Sequence, residues 1–239
     1  MIIHAHILAF NEEKILPFTL DYYSKFCEKI FIYDNMSTDS SDEIYAKYSN
    51  VIVKKWSSNN EINEINYATI KSNAYRQESR NADWVIVCDC DEILYHPNLI
   101  NMLKHYKKIG VDIPKIDGHD MVSENFPEYN GELIIDLVKT GGDTYEPMCK
   151  NIIFNPKKNI QYGYGAHHMS CDDCTLSEEA ELMLLHYKFL GLDYITDRYN
   201  ILEKRLSEFN KTNGFGSHYT QKNAHEYMDF LLKNKKEII

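Results

Sequence analysis

Residues 82–94 read Ala-Asp-Trp-Val-Ile-Val-Cys-Asp-Cys-Asp-Glu-Ile-Leu: five apolar positions, 84–88, that run straight into Asp89-Cys90-Asp91-Glu92. A short apolar run of this kind reads as a buried strand, and its abrupt acidic end marks where the strand leaves the core. Working toward the N-terminus, the same kind of segment recurs. Residues 2–10 (IIHAHILAF), 29–34 (KIFIYD) and 51–56 (VIVKKW) read as strands. Between them lie helical spacings at 15–27, at EIYAKY after a cap-rich loop (35–42), and at about 63–80. Strand and helix alternate four times, which predicts an α/β fold with a central, mostly parallel sheet flanked by helices. Beyond Pro97 the pattern loosens. Residues 97–110 predict a helix ended by Gly110. Residues 111–165 predict mixed strands and long loops, and 176–192 fits either strand or helix. Helices are expected at 193–211 and about 222–235. With no repeat and no low-complexity linker, residues 1–239 read as one domain, with 1–96 as its nucleotide-binding half and 97–239 as its acceptor-binding half with C-terminal helices.

The composition narrows the function. The 239 residues carry 26 Lys+Arg against 36 Asp+Glu, a net charge of −10, which is a poor match for nucleic acid. At 44% hydrophobic and 26% charged the chain is ordinarily globular. No apolar run reaches the roughly 18 residues of a membrane span, and the first residues lack the features of a signal peptide. The six cysteines suggest no disulfide framework, and a cytoplasmic setting, with the thiols reduced, is expected.

The chemistry concentrates where the strand of 82–94 ends. Ligands of open α/β sheets bind beyond the carboxyl ends of the strands. Residues i and i+2 point the same way along extended chain, so Asp89 and Asp91 can converge on one cation. Carboxylates suit Mg²⁺ or Mn²⁺, which keep several waters and take substrate phosphates. Taken alone, the pair could equally be a solvated acidic turn.

The motifs ILAFNEEKILPFTLDYY (7–23), IFIYDNMSTDSSDEI (30–44), NAYRQESRNADWVIVCDCDEIL (73–94), MCKNIIFNP (148–156) with the His167-His168 pair, and LLHYKFLGLDYI (184–195) occur in an order that resembles the nucleotide-sugar glycosyltransferases of GT-A fold. The resemblance lies near glycosyltransferase family 2 and its bacterial surface-polysaccharide branch, and it covers roughly residues 3–215. It implies a metal-dependent transfer of a sugar from a nucleotide-diphosphate sugar, with UDP favoured, to a glycan or lipid-linked acceptor in capsule or lipopolysaccharide synthesis. By the same resemblance Ala9, Phe10, Asn11 and Glu12 line the base and ribose pocket, and Asp34 accepts a hydrogen bond from the base. Arg76 and Lys150 meet the diphosphate. Asp89 faces the ribose and metal waters, while Asp91 and His168, or its neighbour His167, ligate Mn²⁺ or Mg²⁺.

The family's usual Glu-Asp pair bearing the catalytic base has no clean copy here. The candidates lie in GHDMVSENFPE: His119, Asp120 and Glu124. A base there would take the acceptor proton and give inversion. Lys188 and Arg198 can help neutralise pyrophosphate, and GFGSHY (214–219) can serve as a lid. The amphipathic tail can touch a membrane surface, although a packing helix explains it as well. The His167-His168-x-x-Cys171-x-x-Cys174 spacing hints at zinc but lacks a second ligand pair. The residues also admit other classes: a haloacid-dehalogenase-like phosphatase using Asp89 and Asp91, with GGD (141–143) and the Asp172-Asp173 pair as late metal ligands; a nucleotidyltransferase, for which FNEEK is the wrong loop; and a non-catalytic nucleotide-sugar binding module.

Overall fold

The computed structural model describes residues 1–239. In chain order the elements are β1 (Ile3–Ala9), α1 (Leu16–Tyr23), β2 (Lys29–Asp34), α2 (Ser41–Tyr45), β3 (Val51–Lys55), α3 (Glu64–Glu78), β4 (Trp84–Asp89), β5 (Glu92–Tyr95), α4 (Leu99–Ile109), β6 (Ile113–Ser123), α5 (Ile134–Leu137), β7 (Thr140–Gly141), β8 (Ile153–Phe154), β9 (Gln161–Tyr162), β10 (Met169–Ser170), β11 (Leu176–Leu190), α6 (Leu192–Lys204), α7 (Glu208–Thr212), α8 (Gln221–Asn234) and β12 (Lys236–Glu237). The first sheet has the order β3-β2-β1-β4-β8. Its first four strands are parallel and β8 is antiparallel. All seven residues of β1 are buried, as befits a central strand covered on both faces. Its two histidines survive there because they are bonded: His4 Nδ1 and His6 Nε2 lie 2.8 and 2.7 Å from the Ser79 hydroxyl. Burial holds His6 down at about 3, so it sits in the core uncharged.

A second sheet has the order β12-β7-β6-β11-β5, and β9 and β10 form a two-stranded third. The stretch 176–190 is therefore a strand. It is fifteen residues long, pairing in parallel with β6 along its length and antiparallel with β5 over Met183–His186. The residues after Asp91, read from the sequence as the end of a strand, form the separate edge strand β5. The helix expected over 193–211 breaks after Lys204, and α7 restarts behind the Ser207 cap, whose hydroxyl accepts from Asn210 N at 3.2 Å. Helix α4 ends at Gly110 in the left-handed region, φ +79°, as anticipated. The tail helix α8 turns its apolar face inward: Ala224, Met228 and Leu231 pack with Val122, Phe189 and Ile195, so that face is not free to meet a membrane. No helix is long and apolar enough to cross a membrane. Cys171 and Cys174, expected as thiols, are joined in a disulfide; the turn between them brings their Cα atoms to 5.7 Å, within the range such a bond requires.

Candidate active site

The two sheets meet where β4 passes into β5, and the chain between them is the acidic motif. A cavity of about 900 Å³ opens there, at the carboxyl ends of β1 and β4. Asp89 and Asp91 both line it, as their i, i+2 spacing predicts, while Cys90 turns into the core. Strand register brings the other groups in. Across the second sheet Asp120 of β6 is the neighbour of His186 of β11, and His186 is the neighbour of Glu92 of β5.

These neighbours form one charge network. Asp120 accepts from His186 Nδ1 at 2.6 Å and from the Tyr227 hydroxyl at 2.8 Å. The other ring nitrogen of His186 lies 3.4 Å from Asp91. Burial disfavours a charged imidazole, but the two carboxylates outweigh it and raise His186 to about 9. In return, although burial pushes Asp91 upward, His186 holds it well below the usual carboxylate range. Beneath the motif, Glu92 is 1% exposed and receives Lys150 Nζ at 2.7 Å and the Asp89 backbone N–H at 2.9 Å. Lys150 reaches this position because the turn at Glu146–Met148 lies flat on β6 at Gly118, where an added Cβ would sit 2.1 Å from the Met148 carbonyl oxygen.

The basic groups on the cavity wall divide into two kinds. Lys71 lies 2.9 Å from both oxygens of Asp89, Lys150 pairs with Glu92, and Arg198 pairs with Glu12. Lys188 forms no salt bridge. Its ammonium sits 5.0 Å from the rings of both Tyr199 and Tyr219, and burial lowers its pKa. Arg205 stacks flat on Phe10, 3.2 Å from its ring centre.

The structure brings together Ala9, Phe10, Glu12, Asp89, Asp91, Asp120 and Lys150 from the residues singled out in the sequence. It places others elsewhere. Asp34 is fully buried, and its oxygens are taken by Ser37 N–H, Lys55 Nζ and the Tyr45 hydroxyl. Asn11, in the left-handed region at φ +50°, ties its loop to Ser37 and Thr38. Arg76 donates to the Ser72 and Ile160 carbonyls, away from the cavity; Lys71, one and a half turns earlier on α3, is the cation that faces it. His167 lines the cavity, with Nδ1 2.6 Å from the Pro147 carbonyl oxygen, and His168 does not. His119 alternates to the opposite face of β6 from Asp120 and lies 3.1 Å from the Gly142 carbonyl oxygen. Glu124 is exposed, 3.5 Å from Lys235. Sequence reasoning missed Lys71 and the bridging role of His186. The signal for His186 was present: it shares a strand face with Lys188, two residues on.

Whether these residues suit a divalent cation is a question of donor chemistry. Two cavity carboxylates and His167 on the same wall are oxygen and nitrogen donors of the right kind, and such ions need only one or two carboxylates besides water and phosphate. The set fits. The tight group Cys171, Asp173 and Cys174 lies outside the cavity, and its sulfurs are bonded to each other. Asp143 and Asp173, the late ligands a phosphatase would need, pair instead with Lys236 and Lys158.

Comparison with known proteins bears on the family and the fold. No curated protein matches the chain in sequence. Among solved structures, the 1–349 fragment of TarS from S. aureus in complex with UDP is similar over 84% of this chain and 63% of that one, at 14% identity and a TM-score of 0.51. Its complex with UDP-GlcNAc is similar over 98% of this chain and 74% of that one, at 13% identity and a TM-score of 0.49. A further TarS structure, at 14% identity and a TM-score of 0.47, matches 84% of this chain, which spans only 38% of the TarS chain's length. The likeness to the UDP-bound fragment fits a GT-A fold. The family profile for glycosyl transferase family 2 matches residues 5–181, well over half of the sequence and the whole of the strand ends that carry Asp89, Asp91 and Asp120, and on that match the chain belongs to glycosyl transferase family 2.

Proposed function

We propose that the chain transfers a sugar from a nucleotide-diphosphate sugar, with UDP as the favoured nucleotide, to a hydroxyl of a glycan or lipid-linked acceptor, with inversion and in dependence on Mn²⁺ or Mg²⁺. The observation that carries the reading is the meeting of Asp89 and Asp91 with the ammonium of Lys188, which makes no direct ion pair, in one cavity. Breaking a glycosidic bond to a nucleotide diphosphate leaves negative charge on the departing oxygens, and positioned cations stabilise it without proton transfer. Lys188 is suited to that task because it feels Asp91 and Asp120 only at a distance and no carboxylate is bonded to it. Asp91, with Asp89 and the ring nitrogen of His167 not held by Pro147, would hold the divalent ion, whose chemistry is to neutralise the diphosphate. Phe10 and Arg205 offer a flat surface beside the end of β1 for a nucleobase, and Glu12 with Arg198 borders the ribose side.

Asp120 is the base in this reading. It is the one member of its candidate trio on the cavity wall, and it is kept ionised: burial pushes its pKa up, but His186 and Tyr227 more than offset that. Its carboxylate accepts the proton as the acceptor oxygen attacks the sugar carbon from the face opposite the diphosphate. Buried walls around it exclude water, which would otherwise hydrolyse the donor. The proposed setting is the cytoplasmic side of a bacterial envelope, in capsule or lipopolysaccharide synthesis, in keeping with the resemblance of its motifs.

The test is a thermal-shift panel of UDP, GDP, CMP and dTDP, each with and without Mn²⁺, on the intact chain and on Asp91→Asn. A ligand that binds the native state raises its melting temperature. We expect a shift with UDP that needs Mn²⁺ and is lost in Asp91→Asn, whose own melting temperature stays within a few degrees of the parent. A UDP shift of equal size in Asp91→Asn, or no shift with any nucleotide, would overturn the reading.

A further inference from the structure

The cavity is chemically divided. Its cations, Lys71, Lys150, Lys188, Arg198 and Arg205, gather around Asp89, Asp91 and the end of β1. Its outer half, beyond Asp120, is aromatic. Tyr227 donates its hydroxyl to Asp120 at 2.8 Å, so its ring is the first surface a molecule meets on leaving the proposed base. Phe230 follows one helical turn along α8, its ring 6.1 Å from that of Tyr227 and nearly parallel to it, at 20°. Tyr145 stands on the other side, 6.4 Å from Tyr227. These rings are not spent on the core. Phe230 is 56% exposed and Tyr145 45%, although both belong to the cavity wall. Single exposed apolar residues are ordinary, but adjacent bare rings lining a cavity form a contiguous patch of the kind that binds a ligand.

Two polar side chains, Asn223 and Glu226, share this wall. The ammonium nearest to them on α8, Lys222, lies 3.7 Å from Glu226 and is committed to it. The outer wall thus offers flat rings, an amide and a carboxylate, with no free cation. That combination suits a ligand with apolar ring faces and hydroxyl edges. A phosphate- or carboxylate-bearing ligand would find no free ammonium beside Asn223 and Glu226 to meet its charge, since Lys222 is already held by Glu226.

We propose that this outer half is the acceptor subsite and that it takes the uncharged sugar rings of a glycan, stacked on Tyr145, Tyr227 and Phe230, with a hydroxyl delivered to Asp120. The inference rests on the glycosyltransferase reading and adds the acceptor's chemical class to it. Tyr227 has two duties: its ring carries the acceptor and its hydroxyl fixes the carboxylate that receives the proton. Asn223 and Glu226 take hydroxyls at the ring edge, and an anionic polymer gains no ion pair there while Glu226 holds Lys222.

The experiment uses the intact chain with UDP and Mn²⁺ and probes of stated chemistry: cellobiose, maltose, lactose and N,N′-diacetylchitobiose as neutral glycans, and a glycerol-phosphate oligomer as the anionic alternative. Saturation-transfer NMR reads binding to the protein. We expect transfer to the ring protons of at least one neutral disaccharide and none to the oligomer. Phe230→Ala and Tyr145→Ala should each weaken the disaccharide about tenfold, the loss of about 1.4 kcal/mol of stacking, with the UDP affinity of each variant at the parent value. Both positions are exposed, so neither variant threatens the fold. Glu226→Gln, which releases the Lys222 ammonium, should bring the oligomer's affinity up toward that of the glycans. Binding of the oligomer alone by the parent protein, binding of none of the probes, or neutral-glycan binding untouched in both aromatic variants would overturn the subsite. Loss of UDP binding in the parent protein would instead refute the glycosyltransferase reading, so the two failures are distinguishable.

Discussion

Replacing Glu92 by Gln tests whether the acidic motif is held from below. Glu92 is 1% exposed, and its two oxygens are divided between Lys150 Nζ at 2.7 Å and Asp89 N–H at 2.9 Å. Burial opposes its ionisation, but Lys150 and then Lys71 outweigh this and keep it charged. Gln preserves the shape and one oxygen acceptor, so the bond to Asp89 N–H can survive. What it removes is the counter-charge of Lys150, whose side chain is 8% exposed. A buried charge left without its partner costs about 3–5 kcal/mol, and the retained amide places this case near about 3. For a chain of this size that corresponds to a fall of about 6–12 °C in melting temperature. Lys150→Met should cost a similar amount, by stranding Glu92. The double variant should cost clearly less than the two together, with a coupling of about 2 kcal/mol or more, because neither charge is then left alone. The assay is urea and thermal unfolding of the four proteins at pH 7 without nucleotide. Single costs under about 1 kcal/mol, or costs that simply add, would refute the claim that this pair organises the motif.

Two further outcomes follow from the same network. His186, raised from 6.5 to about 9, contributes stability that is present in full below pH 6.5 and is lost as the pH rises through about 9; the ceiling is about 3 kcal/mol, and unfolding measured between pH 6 and 10 should show this loss in the parent and not in His186→Gln. Lys188→Met should raise the Kd for UDP about tenfold while leaving that for uridine unchanged, since it removes a diphosphate contact; titration calorimetry with both ligands checks this, and equal weakening of both would refute it.

The four parallel strands of the first sheet are readable because each is a short apolar run with a polar stop, and because strand ends are where α/β folds gather their chemistry. Asp89 and Asp91 are findable on that basis, whereas Asp120, inside β6, comes only from the family resemblance. The second sheet was harder. The stretch around ELMLLHYKFL carries apolar residues on both faces, since β11 is covered from two sides, so neither period stands out. Errors of facing had a common cause. Arg76 and Lys71 sit on one helix, and only the packing of α3 against the chain at Ile160 decides which one looks into the cavity. Asp34 ends its strand as a base-recognising carboxylate would, but Lys55 and Tyr45, from neighbouring elements, occupy it first. His167 and His168 differ by the path of a turn in which Gly165 and Ala166 both take positive φ, and local propensity says little about such a turn.

The parallel pairing of β6 with β11 also bears on how the protein acquires its site. Asp120 and His186 are sequence-distant neighbours, 66 residues apart, joined only when β11, made long after β1 to β4, docks beside β6. Contacts that close long loops form late, because the chain must lose its freedom before the pairing rewards it. During synthesis the first four parallel strands can assemble while β11 is still to be made, so a half-built molecule carries Asp89 and Asp91 without the histidine that bridges Asp91 to Asp120. Catalytic competence is therefore the last property to appear as the chain emerges, and a slow step in docking residues 176–190 would delay activity long after most of the secondary structure has formed.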